Sequence, residues 1–166
     1  MTSPADAQRK AFFPGSFDPF TRGHESIVRR ALALFSHVVV GIGINPDKQG
    51  MMSTELRQRL IEAVFAGESR VSVVSYSGLT VDAVKAAGAC CIVRGVRDVD
   101  DFGYELKIAD FNRDAAGIET LFLPALPSLA GISSSAVRQM LARGNDVRHM
   151  LPENCPQRIV DELRHL

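Results

Sequence analysis

Two hydrophobic rhythms alternate along this chain. Unbroken, largely β-branched or apolar runs at residues 11–13, 38–44, 71–74, 90–93 and 119–123 read as strands, most of them buried on both faces. Between them apolar positions recur at helical spacing. One such stretch runs from Ile27 to Phe35; a second carries Leu56, Leu60, Ile61, Val64 and Phe65 between a Ser53 cap and Gly67. A third opens at Thr80, shows Val81, Val84 and Ala87 on one face and stops at Gly88. A long helix is expected from about Val99 to Asp114, ending near Gly117, and another from the caps Ser133, Ser134 and Ser135 to Ala142, with Gly144 after it. Ile159, Val160 and Leu163 mark a last amphipathic helix. Five strands alternating with helices predict an α/β fold: a single Rossmann-like doubly wound domain with a five-stranded parallel sheet and helices on both faces. The domain is expected over residues 10–166, with no repeat or linker inside it, and the polar residues 1–9 read as a disordered extension.

Composition narrows the classes of function. Lysine plus arginine balances aspartate plus glutamate at 19 each, which argues against nucleic acid or a membrane surface as partner. No stretch has the length of a transmembrane helix, and residues 1–9 lack the apolar core of a signal peptide, so a cytoplasmic location is expected. Cys90, Cys91 and Cys155 fit neither a disulfide framework nor a paired metal motif, and read as buried thiols in a reducing compartment.

The chemistry concentrates at predicted strand exits. Pro14, Gly15, Ser16 and Phe17 follow the first strand, and Gly23 and His24 open the helix after it. Lys48 lies in the loop after the second strand, Arg94 and Arg97 follow the fourth, and the three serines start a helix after the fifth. In a parallel sheet these positions converge on one crevice, where free N–H groups at helix starts attract phosphate. Each feature alone has a plainer explanation: a capping histidine, a solvated lysine, N-capping serines. Together, an imidazole, a lysine, two guanidiniums and several helix starts, with no paired carboxylates and no metal-ligand cluster, suit phosphoryl or nucleotidyl transfer. Gly41 and Gly43 do not complete a dinucleotide fingerprint and are expected to serve close strand–helix packing; there is no P-loop. Asp98, Asp100, Asp101 and Asp110 read as surface charges near a helix start.

The segments PGSFDPFTRGH at Pro14 to His24, Asn45-Pro46-Asp47-Lys48, RGVRDVDDFGYE at Arg94 to Glu105 and ISSS at Ile132 to Ser135 together resemble the bacterial phosphopantetheine adenylyltransferases, of the (T/H)xGH nucleotidyltransferase superfamily. Asn112-Arg113 and Leu151-Pro152-Glu153-Asn154 fit the same pattern. The resemblance implies adenylyl transfer from ATP to 4′-phosphopantetheine, giving dephospho-coenzyme A and pyrophosphate. It implies catalytic roles for His24, Lys48, Ser16 and Arg97, and acceptor contacts at Ser16, Lys48, Thr80 and Arg94. ATP contacts are implied at Ser16, Phe17, His24, Gly95, Val96, Arg97, Glu105, Leu129, Ala130, Gly131, Ile132, Ser133, Ser134 and Ser135. Mg²⁺ held mainly by the ATP phosphates, a homohexamer and coenzyme A as a feedback ligand are further implications. The chain departs from the family pattern at Ser16, usually threonine, at Gly103, usually glutamate, and before Ile132, where aromatic residues are common. A transferase for another phosphorylated acceptor, such as nicotinamide mononucleotide or glycerol phosphate, and a binding protein without turnover are the alternatives.

Overall fold

A parallel sheet whose strand order is not its chain order carries everything else. The computed structural model describes residues 9–166. All but the last residue of the expected N-terminal extension therefore lies outside the described residues. β1 (Lys10–Gly15), β2 (His37–Ile44), β3 (Val71–Ser77), β4 (Cys91–Val96) and β5 (Glu119–Pro124) form one sheet in the order β3-β2-β1-β4-β5, every neighbour parallel. The chain runs outward from β1 to β3, then crosses back to lay β4 on the other side of β1. The reversal between β1 and β4 is the point where doubly wound sheets open a crevice at the carboxyl ends of their strands.

α1 (Arg22–Ala31), α2 (Thr54–Val64), α5 (Ser134–Ala142) and α6 (Gln157–Leu163) cover one face; α3 (Thr80–Ala86) and α4 (Val99–Ala116) lie on the other. Strand alternation divides the core accordingly. Ala11 and Phe13 of β1 point into the cluster with Val28, Leu60 and Val137, whereas Phe12 joins Val39, Val84 and Ile92 opposite. The predicted doubly wound architecture is what forms. α1 is shorter than its periodicity suggests, ending at Ala31, and residues 32–34 continue only as turns.

Two packing expectations are corrected. Gly41 accommodates neighbouring strands rather than a helix: a Cβ there would stand 2.2 Å from the Phe12 ring of β1 and 3.1 Å from Tyr76 of β3. Those two rings meet edge-on over it, centroids 5.7 Å apart. Cys90 is exposed and Cys91 only half-buried, leaving Cys155 as the one buried thiol. Cys90 precedes β4 at the lower rim of the sheet, where its backbone N–H pairs with Lys10 and its side chain is open to solvent.

Candidate functional site

Two cavities open at the carboxyl ends of the strands and share a wall. The first, of about 410 Å³, is lined by Ser16, Phe17, Thr21, His24, Arg94, Gly95, Arg97, Asp101, Leu129, Ile132, Ser133, Ser134 and Ser135, among others. The second, of about 480 Å³, runs beneath α4 and is lined by Asn45, Tyr76, Thr80, Ile92, Tyr104, Ala109, Asn112 and Thr120, among others. Pro14, Gly15, Ser16, Arg94 and Glu105 belong to both. The structure thus gathers Ser16, Phe17, His24, Gly95, Arg97, Glu105, Leu129, Ile132 and the three serines around one space, and Thr80 with Ser16 and Arg94 around the other. Val96, Ala130, Gly131 and Lys48 line neither.

His24 is built into the start of α1. Thr21 is the N-cap: its hydroxyl accepts from the His24 backbone N–H, and the His24 side chain returns the contact to Thr21 N. This is the reciprocal arrangement of a capping box, with histidine where glutamate or glutamine usually stands. Nδ1 accepts the Thr21 N–H at 3.0 Å and lies 3.1 Å from its hydroxyl. A nitrogen that accepts carries no proton, so the neutral ring holds its proton on Nε2. Phe13, Phe17 and Phe20 surround the ring, with centroids 6.2, 5.1 and 5.3 Å away. Burial in this aromatic pocket, then the positive fields of Arg94 and Arg97, push the His24 pKa down to about 3. The imidazole is therefore a neutral hydrogen-bond donor in the free protein.

Arg94, at the shared wall, is held from two sides. Its Nε donates to Glu105 Oε2 at 2.8 Å, one Nη donates to Oε1 of the same carboxylate, and the other to the Pro14 carbonyl. Burial opposes the guanidinium's charge, but Glu105, itself only 5% exposed, outweighs it and the group stays cationic. Three of the five N–H groups are used, leaving two for a ligand in either cavity. Arg97 is looser: Asp101 accepts its backbone N–H at 3.0 Å and reaches its Nε only at 3.5 Å. Asp101 and Asp98, expected as surface charges, thus organise this corner, since Asp98 caps α4 through the Asp101 N–H.

The three serines at α5 do three different things. Ser133 caps the helix through Ala136 N–H, Ser134 donates to the Pro19 carbonyl at 2.8 Å, and Ser135 accepts from Arg138. Two of them therefore tie the helix start to itself and to the β1–α1 loop. Thr80 does not cap α3; Leu79 occupies that position, and the Thr80 hydroxyl lies 3.0 Å from the Tyr76 hydroxyl. The space that glycine leaves at position 15 is taken by the Phe17 ring, 2.7 Å from where a Cβ would stand.

A buried clamp that sequence reasoning missed holds the β1–α1 loop. Asp18 accepts the Met51 and Met52 N–H groups at 2.8 Å each and lies 3.7 Å from the Arg57 guanidinium. Arg57 also donates to the carbonyls of Met52 and Ser16, while Arg138 donates to the Asp18 carbonyl. Between these anchors Phe17 holds a left-handed φ of 49°, rare outside glycine. The signal was present: Arg57 interrupts an apolar stripe of α2 that otherwise reads Leu56, Leu60, Ile61, Val64. The same clamp anchors the end of the loop that carries Lys48, whose own residues turn outward on an Asn45-capped bend.

Among the described residues no three His, Cys, Asp or Glu side chains gather as a metal site. The carboxylates that line the His24 cavity, Asp101 and Glu105, are both engaged by arginines. Such a donor set fits a cation carried on a ligand's own phosphate oxygens rather than one caged by the protein.

Residues 12–140 match the cytidylyltransferase-like family. A phosphopantetheine adenylyltransferase of Phocaeicola vulgatus is 52% identical over 145 residues, 87% of this chain and 96% of that one. The chain belongs to the phosphopantetheine adenylyltransferase family. A Streptomyces coelicolor member is 41% identical over 157 residues, covering 95% of this chain and 99% of its own. Membership makes the chain a nucleotidyltransferase and bears out the resemblance carried by the strand-end motifs. A bifunctional NMN adenylyltransferase/ADP ribose pyrophosphatase from Francisella tularensis, solved with AMP and a manganese ion, superposes with a TM-score of 0.67 at 16% identity. The superposition covers 95% of this chain and 52% of that one, and attests the shared fold: the chain spans about half the length of that protein.

Proposed function

We propose that the chain transfers the adenylyl group of ATP to 4′-phosphopantetheine, releasing pyrophosphate and forming dephospho-coenzyme A. The observation that carries this reading is the pair of cavities meeting at Ser16, Arg94 and Glu105, with a neutral histidine donor on one side and an amphipathic slot on the other. ATP occupies the His24 cavity, with its adenosine toward Gly95, Val96 and the stretch from Leu129 to Ile132. Its phosphates lie among Arg97, His24 and the N–H groups that begin α5. The acceptor occupies the Thr80 cavity with its phosphate at Arg94 and Ser16.

The acceptor's phosphate oxygen attacks the α-phosphorus; the bond from that phosphorus to the bridging oxygen breaks, and pyrophosphate leaves with the electron pair. No protein base is required, because the attacking phosphate is already ionised near neutral pH. His24 Nε2–H donates to an α-phosphate oxygen whose charge grows as the new bond forms, and the capping box holds the ring so that this donor needs no reorientation. Arg97 takes up charge on the departing phosphates. Lys48 reaches the junction from its outward loop when both phosphates are present, and Glu105 acts on the reaction by aligning Arg94. Mg²⁺, riding on the ATP phosphate oxygens, supplies additional charge neutralisation.

A cytoplasmic homohexamer with coenzyme A as feedback ligand completes this reading. Self-assembly is supported by Phe102, Tyr104, Leu106 and Phe111, which stand exposed along α4. The deciding experiment is pyrophosphate release from Mg-ATP with and without 4′-phosphopantetheine, in the native chain and His24→Ala. Release that requires the acceptor and collapses in the variant is the expected result. Release with another phosphorylated acceptor alone would reassign the substrate.

A further inference from the structure

Arg57, on α2, is buried against the β1–α1 loop, and one of its bonds does more than anchor the chain. Its side chain is 11% exposed and crosses Gly50 so closely that a Cβ there would stand 2.0 Å from Nη2. Nε and Nη2 both donate to the Met52 carbonyl, at 3.0 and 2.7 Å. Asp18 already holds that end of the Lys48 loop through the Met51 and Met52 N–H groups. An apolar side chain at position 57 would continue the α2 stripe without the cost of burying a charge. What it would not supply is the bond from Nη1, which donates to the Ser16 carbonyl at 3.2 Å.

That bond fixes a peptide at the wall of the His24 cavity. The Ser16–Phe17 peptide is trans, so its N–H points opposite to its C=O, away from Arg57. Ser16 and Phe17 both line the cavity, and the Phe17 N–H has no backbone partner among the described residues. Phe17 holds its φ of 49° in the left-handed region that residues other than glycine disfavour. Rotating this one peptide by about half a turn would return Phe17 to a negative φ. It would also reverse the N–H and the C=O, while the Phe17 ring kept its packing against Phe13, Phe20 and His24. The observed orientation is thus the locally costlier one, and Arg57 is the group that holds it. We propose that Arg57 is a positioning residue: by gripping the Ser16 carbonyl it aims the Phe17 N–H at the α-phosphate, beside the His24 Nε2–H donor. The inference rests on the placement of ATP in the His24 cavity.

Arg57→Lys and Arg57→Met provide the test, read by turnover of 4′-phosphopantetheine and by the backbone amide NMR signal of Phe17. Lysine keeps a cation beside Asp18 but replaces the fork with a point donor that cannot serve the Met52 and Ser16 carbonyls in the same geometry. Methionine removes the grip altogether and keeps an apolar stripe, with both N–H bonds to Asp18 intact. Arg57→Met is expected to lower kcat about 10- to 100-fold, with KM for the acceptor unchanged and Arg57→Lys falling between it and the native chain. The loss stays below that of a donor removed outright because the competent orientation remains partly populated. In the native chain α,β-methylene-ATP, which cannot be cleaved at the reacting bond, should move the Phe17 amide proton downfield; in Arg57→Met that response should be largely lost. Native kcat in Arg57→Met, or a native Phe17 response to the nucleotide, overturns the positioning role and leaves Arg57 a clamp of the frame alone. A native chain whose Phe17 amide ignores the nucleotide overturns the inference together with the placement of ATP. Absence of turnover with 4′-phosphopantetheine overturns the acceptor assignment only, since the nucleotide response of Phe17 still decides the role of Arg57.

Discussion

The two cavities share a wall but not a style of construction. Around His24 the lining comes from contiguous segments at strand ends and helix starts, rich in N–H donors and cations. Beneath α4 it comes mainly from single side chains on β3, β4, β5, α3 and α4, polar and apolar interleaved. A polyphosphate can be held by backbone groups at the ends of secondary structure, which any doubly wound sheet offers. An extended, mostly apolar acceptor needs a slot cut between elements, and a slot is made by leaving side chains small, as at Ala109 and Gly43. In the proposed reaction the difference separates chemistry from selectivity: the first lies in a loop, the second in a gap.

His24→Ala should separate the two cavities most sharply. Removing a donor aimed at developing charge costs about 10²–10³ in kcat, with KM for either substrate changed little. A large loss of ATP affinity at native kcat would show instead that the ring serves ground-state binding. Arg94→Ala strikes the shared wall and strands Glu105 as a buried, unpaired carboxylate. It should raise KM for 4′-phosphopantetheine more than tenfold; an effect confined to ATP would move Arg94 wholly to the His24 side.

Asp18→Asn tests whether the clamp belongs to the chemistry or only to the frame. It weakens two backbone contacts and leaves the Arg57 charge without its carboxylate, and should lower unfolding free energy by about 3 kcal/mol, read from the denaturation midpoint. A loss below about 1 kcal/mol would mean that the carbonyls of Met52 and Ser16 suffice to hold Arg57.

The smallest effect is an expected constancy. Because the folded pKa of His24 is lowered to about 3, its ring nitrogen NMR signals should hold the Nε2–H pattern from pH 8 to pH 5. The unfolded chain binds a proton near 6.5 that the folded one refuses, so this group contributes full stability above pH 6.5 and loses it progressively as pH falls toward 3. His24→Gln should flatten that part of the stability profile; a ring that titrates near 6.5 would remove the neutral-donor role.

Legibility followed the same division. The His24 cavity could be read because its parts are short motifs whose meaning is local: a glycine-serine turn, a histidine at a helix start, serines at another. The parallel sheet followed from strands alternating with helices; its strand order did not. Lys48 is different: its motif was plain, yet the free chain turns it away from both cavities, since a loop's rest position depends on anchors such as Asp18 that composition does not reveal. Thr120 was not read as part of the site, and Asn112 only as part of a motif with no stated role. A threonine in a β-strand and an asparagine in an amphipathic helix are unremarkable until the fold brings both to the lining of one cavity. The roles of Asp98 and Asp101 were missed for the opposite reason: acidic residues at a helix start have so ready an explanation that a second use went unseen.

The capping box at α1 separates two demands that usually travel together. Glutamate at position 24 would complete the same reciprocal contact with Thr21 and start the helix as well as histidine does. In the proposed reaction it would also set an anion among the ATP phosphates. Position 24 is therefore one at which a substitution that keeps the helix start would abolish the proposed turnover, so helix content alone would pass a dead enzyme.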